Sequence, residues 1–78
     1  MNKKYLETCK GKTVIFKVVS YNPDLKVQFV DYGEDYRVKI MDRKYGAAEV
    51  IKIQVVDYNP DVKLRKVDYS EKFSAYLD

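Results

Sequence analysis

Carboxylates recur at fixed spacing along this chain. One set follows an apolar residue in successive similar units and a second lies where turns are predicted: Asp31, Asp42, Asp57 and Asp68, then Asp24, Asp35 and Asp61. Clustered carboxylates could bind calcium or form a general acid and base pair. The spacing of an EF-hand loop is absent, and recurrence in every unit favours a structural role in which each Asp accepts backbone N–H bonds at a turn. We therefore expect no metal site.

Basic and aromatic side chains form the other repeating set. An exposed sheet face that carries both can hold single-stranded nucleic acid by charge and stacking. The candidate binding face comprises Lys17, Lys26, Arg37, Lys39, Lys52, Lys63, Arg65, Tyr32 and Tyr69. The alternative, which we favour, is that these cations solubilise the outer face within reach of Asp on neighbouring units. The Tyr column (Tyr21, Tyr32, Tyr58 and Tyr69) then covers the edges of the core.

The chain lacks the residues on which most enzyme chemistry depends. It has no His, its single cysteine is Cys9, and it contains no Gly-rich phosphate loop and no Cys-x-x-Cys motif. General-base, zinc, nucleophilic and nucleotide chemistry therefore have no support. A chain of 78 residues is also short for a deep cleft. We expect no catalytic residues, no cofactor and no enzyme activity.

Charge and cysteine content indicate the setting of the protein. The net charge of +3 is a weak argument for a polyanionic partner. A lone Cys, and no apolar run long enough for a signal peptide or a membrane span, predict a cytoplasmic protein without a membrane partner. Self-association, for instance through an open strand edge, is a third option.

The strongest pattern is an internal repeat. The stretch VVSYNPDLKVQFVDYGEDY from Val18 returns thirty-seven residues later as VVDYNPDVKLRKVDYSEKF from Val55. Each copy contains shorter units of eleven residues, and four extra residues near Tyr45-Gly46-Ala47-Ala48 lengthen one spacing. Within a unit, three alternate positions are apolar and the positions between them are mostly polar. This period of two predicts strands with one buried face.

The repeat predicts six short strands separated by turns rich in Asn, Pro, Gly and Asp. The predicted strands cover 14–19, 25–30, 36–41, 51–56, 62–67 and 73–77. Val38 is expected to point inward and Lys39 outward, and the third alternate column, which includes Val18 and Val55, is also expected inside. The residue after that column, such as Val19, is apolar too, which requires a bulge, a corner or a second cluster.

These patterns predict one all-β domain over residues 1–78, arranged as two thin layers or a wound coil. Residues 1–12 fit the repeat poorly, and residues 13–78 contain it. Tyr5, Leu6 and Cys9, before Gly11, are expected to form one helical turn that caps an end of the sheet.

The units KVQFVDYGEDY, KIQVVDYNPDV and KLRKVDYSEKF resemble the short repeats of the Septknot family, which have the form K-V-Y-F-V-D-Y/S-x-x-x-A-D. The similarity runs from about residue 13 to the C-terminus. The V-D-Y core is kept at Val30-Asp31-Tyr32, Val56-Asp57-Tyr58 and Val67-Asp68-Tyr69, whereas Pro, Glu or Lys replaces the Ala usual in the family's turn. The resemblance implies a small all-β bacterial protein whose strands wind in a torus-type knot, and it implies no activity.

Together these observations predict a non-enzymatic small structural or interaction protein. The alternative is an RNA- or single-stranded-DNA-binding module that uses the exposed Lys, Arg and Tyr face. The two hypotheses differ in whether the basic columns form a continuous band or are balanced by neighbouring carboxylates.

Overall fold

The computed structural model describes residues 1–44, 46–47 and 49–78, and its fold is all-β. A 3-10 helix (Lys3–Cys9) precedes six strands: β1 (Thr13–Val18), β2 (Leu25–Phe29), β3 (Tyr36–Met41), β4 (Val50–Val55), β5 (Val62–Lys66) and β6 (Phe73–Leu77). The all-β class is confirmed, and each strand begins and ends within one residue of its predicted bounds. Of the four extra residues near the predicted insertion, Tyr45 and Ala48 lie outside the described residues.

The six strands close into one barrel instead of stacking as two layers. Their order around the barrel is β1-β4-β2-β5-β3-β6, and each neighbouring pair is parallel. The chain therefore passes around the barrel twice, and the last three strands fill the gaps between the first three. A closed barrel leaves no open strand edge among the described strands.

The connections are shorter than parallel strands usually need, because each strand begins at the level where the previous one ends. Four of the five connections contain six residues, whereas a parallel crossover generally takes a dozen or more. Val18 at the end of β1 and Leu25 at the start of β2 both pair with Ile53 of β4. The chain has only to cross one strand, a distance of about 10 Å. The other crossings occur in the same way at Leu64, Val27 and Val38.

The longer connection between β3 and β4 follows from the same geometry. Each six-residue connection advances the chain by two strand positions around the barrel, whereas the step from β3 to β4 advances it by three. Three equal steps of two would return a six-strand barrel to its starting position, and β4 would then fall on β1. The connection between β3 and β4, which has eight residues, spans this odd step, so that the second pass lies between the strands of the first.

The barrel interior is filled by the first two apolar columns of the repeat. Phe16 and Phe73 meet edge to face, with ring centroids 5.8 Å apart, and Val38 is fully buried. The buried residues are Leu6, Cys9, Val14, Phe16, Leu25, Val27, Val38, Ile51, Ile53, Val62, Leu64, Phe73 and Ala75. Leu6 and Cys9 come from the 3-10 helix, which therefore packs on the core as the predicted N-terminal turn.

The third apolar column is inside only in part, since Phe29, Ile40 and Leu77 are partly buried against the core whereas Val18 and Val55 are partly open. Val18 and Val55 are 49% and 50% exposed. The chain leaves the barrel at this point: Val19 is half-buried, and its N–H donates to the carbonyl of Ile53 at 2.8 Å. The corner that the sequence required therefore lies at the end of each strand, where the connection begins to cross its neighbour. No helix among the described residues is long and apolar enough to cross a membrane.

Candidate interaction surface

Four connections lie across the outside of the barrel and form its outer layer. Residues 19–24 cross β4, residues 56–61 cross β2, residues 30–35 cross β5 and residues 67–72 cross β3. Outward-facing Gln side chains fasten two of them. Gln54 of β4 donates to the Ser20 carbonyl at 3.2 Å, and Gln28 of β2 donates to the Asp57 carbonyl at 2.9 Å. The polar column of the strands therefore supports connections as well as meeting water.

Three Asp residues clamp the ends of these connections to the next strand. The Asp61 carboxylate accepts the N–H of Lys26 at 2.8 Å, and the Asp61 N–H donates to the Lys26 carbonyl at 2.8 Å. Asp24 makes the same pair of bonds with Lys52, and Asp35 makes it with Lys63. In the fourth connection Lys72 occupies the position of these Asp residues. It makes only the backbone bond, in which the Lys72 N–H donates to the Arg37 carbonyl at 2.8 Å. The predicted bonding of Asp to backbone N–H groups therefore occurs in this set, and the donor belongs to a neighbouring strand.

The other Asp column does not accept backbone N–H groups at Asp31, Asp57 or Asp68. Asp31, Asp57 and Asp68 are exposed, and their carboxylates make no hydrogen bond with described residues. They stand on separate connections of the barrel. Among described residues, no cluster of three or more acidic or Cys side chains is placed to hold a metal ion.

The barrel distributes the basic residues of the candidate binding face around its circumference. Lys17 is in register with Lys52, and Arg37 is in register with Arg65. These two pairs lie three strand positions apart, on opposite sides of the six-strand barrel. On one side the other cations have uncharged partners in register: Lys26 beside Gln54, Lys63 beside Gln28, and Lys39 beside Ser74. Lys26 also lies diagonally between Lys52 and Lys63.

Carboxylates are interleaved with these cations. Glu34 pairs with Arg37 Nε at 3.1 Å, and Lys3 pairs with Asp35 at 3.1 Å. Burial alone would raise the pKa of Asp35, but the N–H of Lys63 and the Lys3 ammonium lower it by more, so that the net shift is downward. The pKa of Glu34 is also lowered, by its own backbone N–H and by Arg37. Carboxylates therefore lie beside Arg37 and Lys63 of the candidate face.

Four tyrosines project from the crossing connections into water. Tyr21, Tyr32, Tyr58 and Tyr69 are between 75% and 85% exposed, so the expectation that they cover the edges of the core is wrong. In each case the next residue has positive φ, from 51° at Asn22 and Asn59 to 72° at Gly33. This left-handed residue turns the chain back toward the barrel directly after the Tyr, which leaves the ring at the outermost point.

These four connections and their tyrosines form a regular array, which we call the tyrosine surface. They cross the adjacent strands β4, β2, β5 and β3 in that order, which places Tyr21, Tyr58, Tyr32 and Tyr69 in succession. Each crossing lies two residues further along the sheet than the last, because Ile53 pairs with Leu25 whereas the next crossing is at Val27. Two residues along a strand and one strand across separate successive crossing points on the sheet by about 8 Å, and the four crossings extend around half of the six-strand barrel.

The candidate face predicted from sequence contains Tyr32 and Tyr69 but omits Tyr21 and Tyr58. The signal that identifies all four is the eleven-residue period itself, since each Tyr occupies the same position of its unit. The Asp clamps share a period too, but their partners are 28 or 35 residues away, and no local pattern reveals such pairing.

A second polar cluster fastens the 3-10 helix to the barrel. Glu7 accepts from Lys72 at 2.7 Å and from the Tyr36 hydroxyl at 3.0 Å. The Tyr5 hydroxyl donates to Glu49, and this hydrogen bond, with burial, raises the pKa of Tyr5 to about 12. The bond to Lys72, and then that to Tyr36, lowers the pKa of Glu7. Sequence analysis placed no site here, because these partners are distant along the chain.

Comparison with known families gives one match. The Septknot family model, described as a 7(1) septoil knot domain, matches residues 2–74 of the 78. The match includes the helix, strands β1 to β5 and the first residues of β6. No curated protein matches the chain.

Proposed function

The chain belongs to the Septknot family, and we propose that it is a non-enzymatic interaction protein whose binding surface is the tyrosine surface. The observation that carries this proposal is the exposure of four equivalent tyrosines, each 75% to 85% open to water. Aromatic rings in this position contribute little to the core. They are the side chains most enriched at interfaces, because they bring large contact area at low entropic cost.

The barrel gives these tyrosines a rigid support. Its interior is filled, and every strand is paired on both sides. Each crossing connection is fastened at both ends, as when Val56 donates to the Val27 carbonyl at 2.9 Å and Asp61 clamps Lys26. Connections held on a rigid scaffold are the usual location of binding residues.

The groups with shifted pKa values support a role without catalysis. Tyr5, Glu7, Glu34, Asp35 and Tyr36 hold the 3-10 helix or a connection against the barrel, and Cys9, whose pKa burial raises, is packed in the core. Structural pairing of this kind perturbs pKa values without creating a reactive group.

Affinity capture with a matched variant tests the proposal. Wild-type protein and the variant Tyr21→Ser/Tyr32→Ser/Tyr58→Ser/Tyr69→Ser are immobilised and exposed to the same cell extract, with and without nuclease. We expect the variant to fold and to lose what the wild type retains, since each ring lies outside the core. Identical retention by the two proteins would contradict the proposal.

Nucleic acid is the second candidate partner class. Arg37, Arg65 and Lys66 line one hollow together with Tyr69, which combines charge with a stacking surface. Because carboxylates interrupt the basic residues elsewhere, we expect single-stranded RNA and DNA to bind no more tightly than about 10⁻⁴ to 10⁻⁶ M at physiological salt. Submicromolar binding that falls by roughly 0.7 log unit per phosphate contact, and weakens in Tyr69→Ala or Tyr32→Ala, would make this the better candidate.

We also propose that the backbone of this chain is knotted, as the description of the family indicates. This is supported by the interleaving of the two passes of the chain around the barrel. Mechanical unfolding from the two termini tests it, since a tightened knot leaves the extended chain shorter than the ~260 Å that 78 residues reach. Full extension would exclude a trapped knot.

A cytoplasmic location completes the proposal. It is supported by Cys9, a free and buried thiol at the end of the 3-10 helix, because unpaired cysteines are typical of reducing compartments. Cell fractionation tests it, and recovery of the protein outside the cytoplasm would exclude it.

A further inference from the structure

We infer that the hollow over β5 and β3, beside the connection of residues 67–72, binds a phosphate monoester through the guanidinium groups of Arg37 and Arg65. The inference goes beyond the proposed function, because it assigns a site for a small anion and does not require the tyrosine surface to bind a macromolecule. Three features carry it: two arginines in register, an excess of positive charge, and guanidinium donors without a carboxylate partner among the described residues.

The two arginines stand directly opposite each other on neighbouring strands. Arg37 of β3 is in register with Arg65 of β5, and neighbouring strands lie about 4.8 Å apart. Both side chains are exposed on the outer face, since the adjacent residues Val38 and Leu64 point into the core. Like charges directly opposite each other destabilise a sheet. An anion that bridges the two guanidinium groups replaces this repulsion by attraction.

The lining of the hollow is basic. Arg37, Arg65 and Lys66 line it together with one carboxylate, that of Asp68. Three other hollows of the described surface contain at least as many carboxylates as cations, and a further one is basic because it shares Arg65 and Lys66. Positive charge is therefore concentrated at this part of the described surface, and it attracts an anion in preference to a cation or a neutral molecule.

Glu34 shows how this position acts on a negative charge. Its carboxylate accepts a hydrogen bond from Arg37 Nε at 3.1 Å. Its pKa is lowered by its own backbone N–H, by that bond and by the charge of Arg65. Arg65 itself forms no ion pair with a described residue. Even with Glu34 included, three cations meet two carboxylates here, so the site retains capacity for a further anion.

These donors fit a phosphate monoester better than a carboxylate. A carboxylate has two oxygens, which a single guanidinium fork occupies. A phosphate monoester has three terminal oxygens and close to two negative charges near neutral pH, so that it accepts from both forks at once. Tyr69 is 79% exposed and lines the same hollow. Its ring offers a packing surface for the organic group that the phosphate carries.

Titration with simple anions tests the inference. Phenyl phosphate, sulfate and acetate are added separately to the full chain at low salt, and the backbone amide resonances are followed. We expect phenyl phosphate to shift the resonances of Arg37 and Arg65 with a dissociation constant of about 1 mM or tighter. Acetate should bind at least about tenfold more weakly, because it engages one guanidinium fork instead of two.

The pH dependence of binding identifies the dianion as the bound species. The chain has no His, so none of its side chains has an ordinary pKa between about 5 and 7. A phosphate monoester gains its second charge in this range, with a pKa of about 6. The affinity for phenyl phosphate should therefore rise about tenfold from pH 5 to pH 7. Sulfate is a dianion at both pH values, and its affinity should stay constant.

A matched pair of variants locates the site. Arg65→Gln should weaken the binding of phenyl phosphate at least about tenfold, whereas Lys17→Gln should leave it within about twofold. Both changes remove one positive charge from the same position of the repeat unit, and Lys17 lies on β1, three strand positions from β5. Arg65→Gln is expected to fold, because Gln28 and Gln54 occupy the equivalent positions of β2 and β4.

The outcomes separate this inference from the proposed function. Equal losses from the two variants, or binding of phenyl phosphate weaker than about 10 mM, would overturn the phosphate site. So would an affinity that does not change with pH. If the site fails in this way and the quadruple Tyr→Ser variant still loses material that wild type retains from extract, the proposed function stands alone. Phosphoserine and uridine monophosphate distinguish the sources of the phosphate group: both should bind, and the one that weakens in Tyr69→Ser carries the organic group that the hollow accepts.

Discussion

The Asp clamps allow the sharpest test of the structure, because the chain contains its own controls. Asp24, Asp35 and Asp61 each accept the N–H of a neighbouring strand at 2.8 to 2.9 Å. We therefore predict that replacing any of the three by Ala destabilises the protein, whereas Ala at Asp57 or Asp68 does not.

The expected magnitude follows from the bond that is lost. A hydrogen bond to a charged group contributes about 1.5–3 kcal/mol. Lys26, Lys52 and Lys63 are exposed, so that water can reach the released N–H, and the backbone bond in the other direction remains. The cost should therefore lie near the lower end, about 1–2 kcal/mol. For a domain of this size each kcal/mol corresponds to about 4–8 °C in Tm.

Urea and thermal unfolding of the single variants measure this cost. The changes at Asp57 and Asp68 should stay within about 0.5 kcal/mol, as expected for exposed side chains without partners. Equal losses from the two sets would refute the assignment of the clamps, as would no loss from the first set.

The acid side of the stability curve gives an independent readout of one clamp. The pKa of Asp35 is lowered in the folded protein, so its contribution is complete above the unfolded carboxyl pKa of about 4. That contribution is lost as pH falls through the lower folded value. The variant Asp35→Ala should therefore lose less stability than wild type between about pH 4 and pH 2. An unchanged acid limb in this variant would argue against the bond.

Three further predictions concern the register, metal binding and the winding of the chain. Val38→Asp should prevent folding or cost several kcal/mol, because it buries a carboxylate at a fully buried position, whereas Lys39→Asp should stay within about 0.5 kcal/mol; equal effects in urea unfolding would contradict the register. Millimolar calcium should leave Tm unchanged, because a ligand specific to the folded state must raise it, and a clear upward shift would reveal a site. Deletion of residues 45–48 should abolish the cooperative unfolding transition, because the shortened connection from β3 could no longer advance three strand positions around the barrel to β4. A stable monomer with an unchanged transition would contradict this explanation.

Local pattern was enough to predict the strands and most of the core. The period of two depends only on neighbouring residues, and it placed Val14, Phe16 and Val38 inside and Lys39 outside. It failed at Val18 and Val55, because the exposure of a strand end depends on where the chain leaves the barrel. That departure is set by a partner strand, since Val18 pairs with Ile53 and Val55 pairs with Val27, 35 and 28 residues away along the chain.

The strand order and the outward position of the tyrosines could not be predicted for the same reason. Whether Tyr32 covers the core or projects into water depends on whether its connection passes outside β5, and the pairing of β5 with β2 and β3 joins distant residues. The repeat showed that equivalent units occupy equivalent places. It did not show which units are neighbours.

The alternation of strands around the barrel determines when native strand pairing can begin during synthesis on the ribosome. All six strand pairings join one of β1, β2 and β3 to one of β4, β5 and β6, and no two strands of the same half are paired. A nascent chain that has emerged only as far as β3 therefore contains no two strands that are neighbours in the native barrel. Native sheet formation must wait for the second half, and loop closure over some 30 residues then makes it slow. We therefore expect the first half to have no native strand pairing, and to be open to chaperones and proteases, until β4 has emerged.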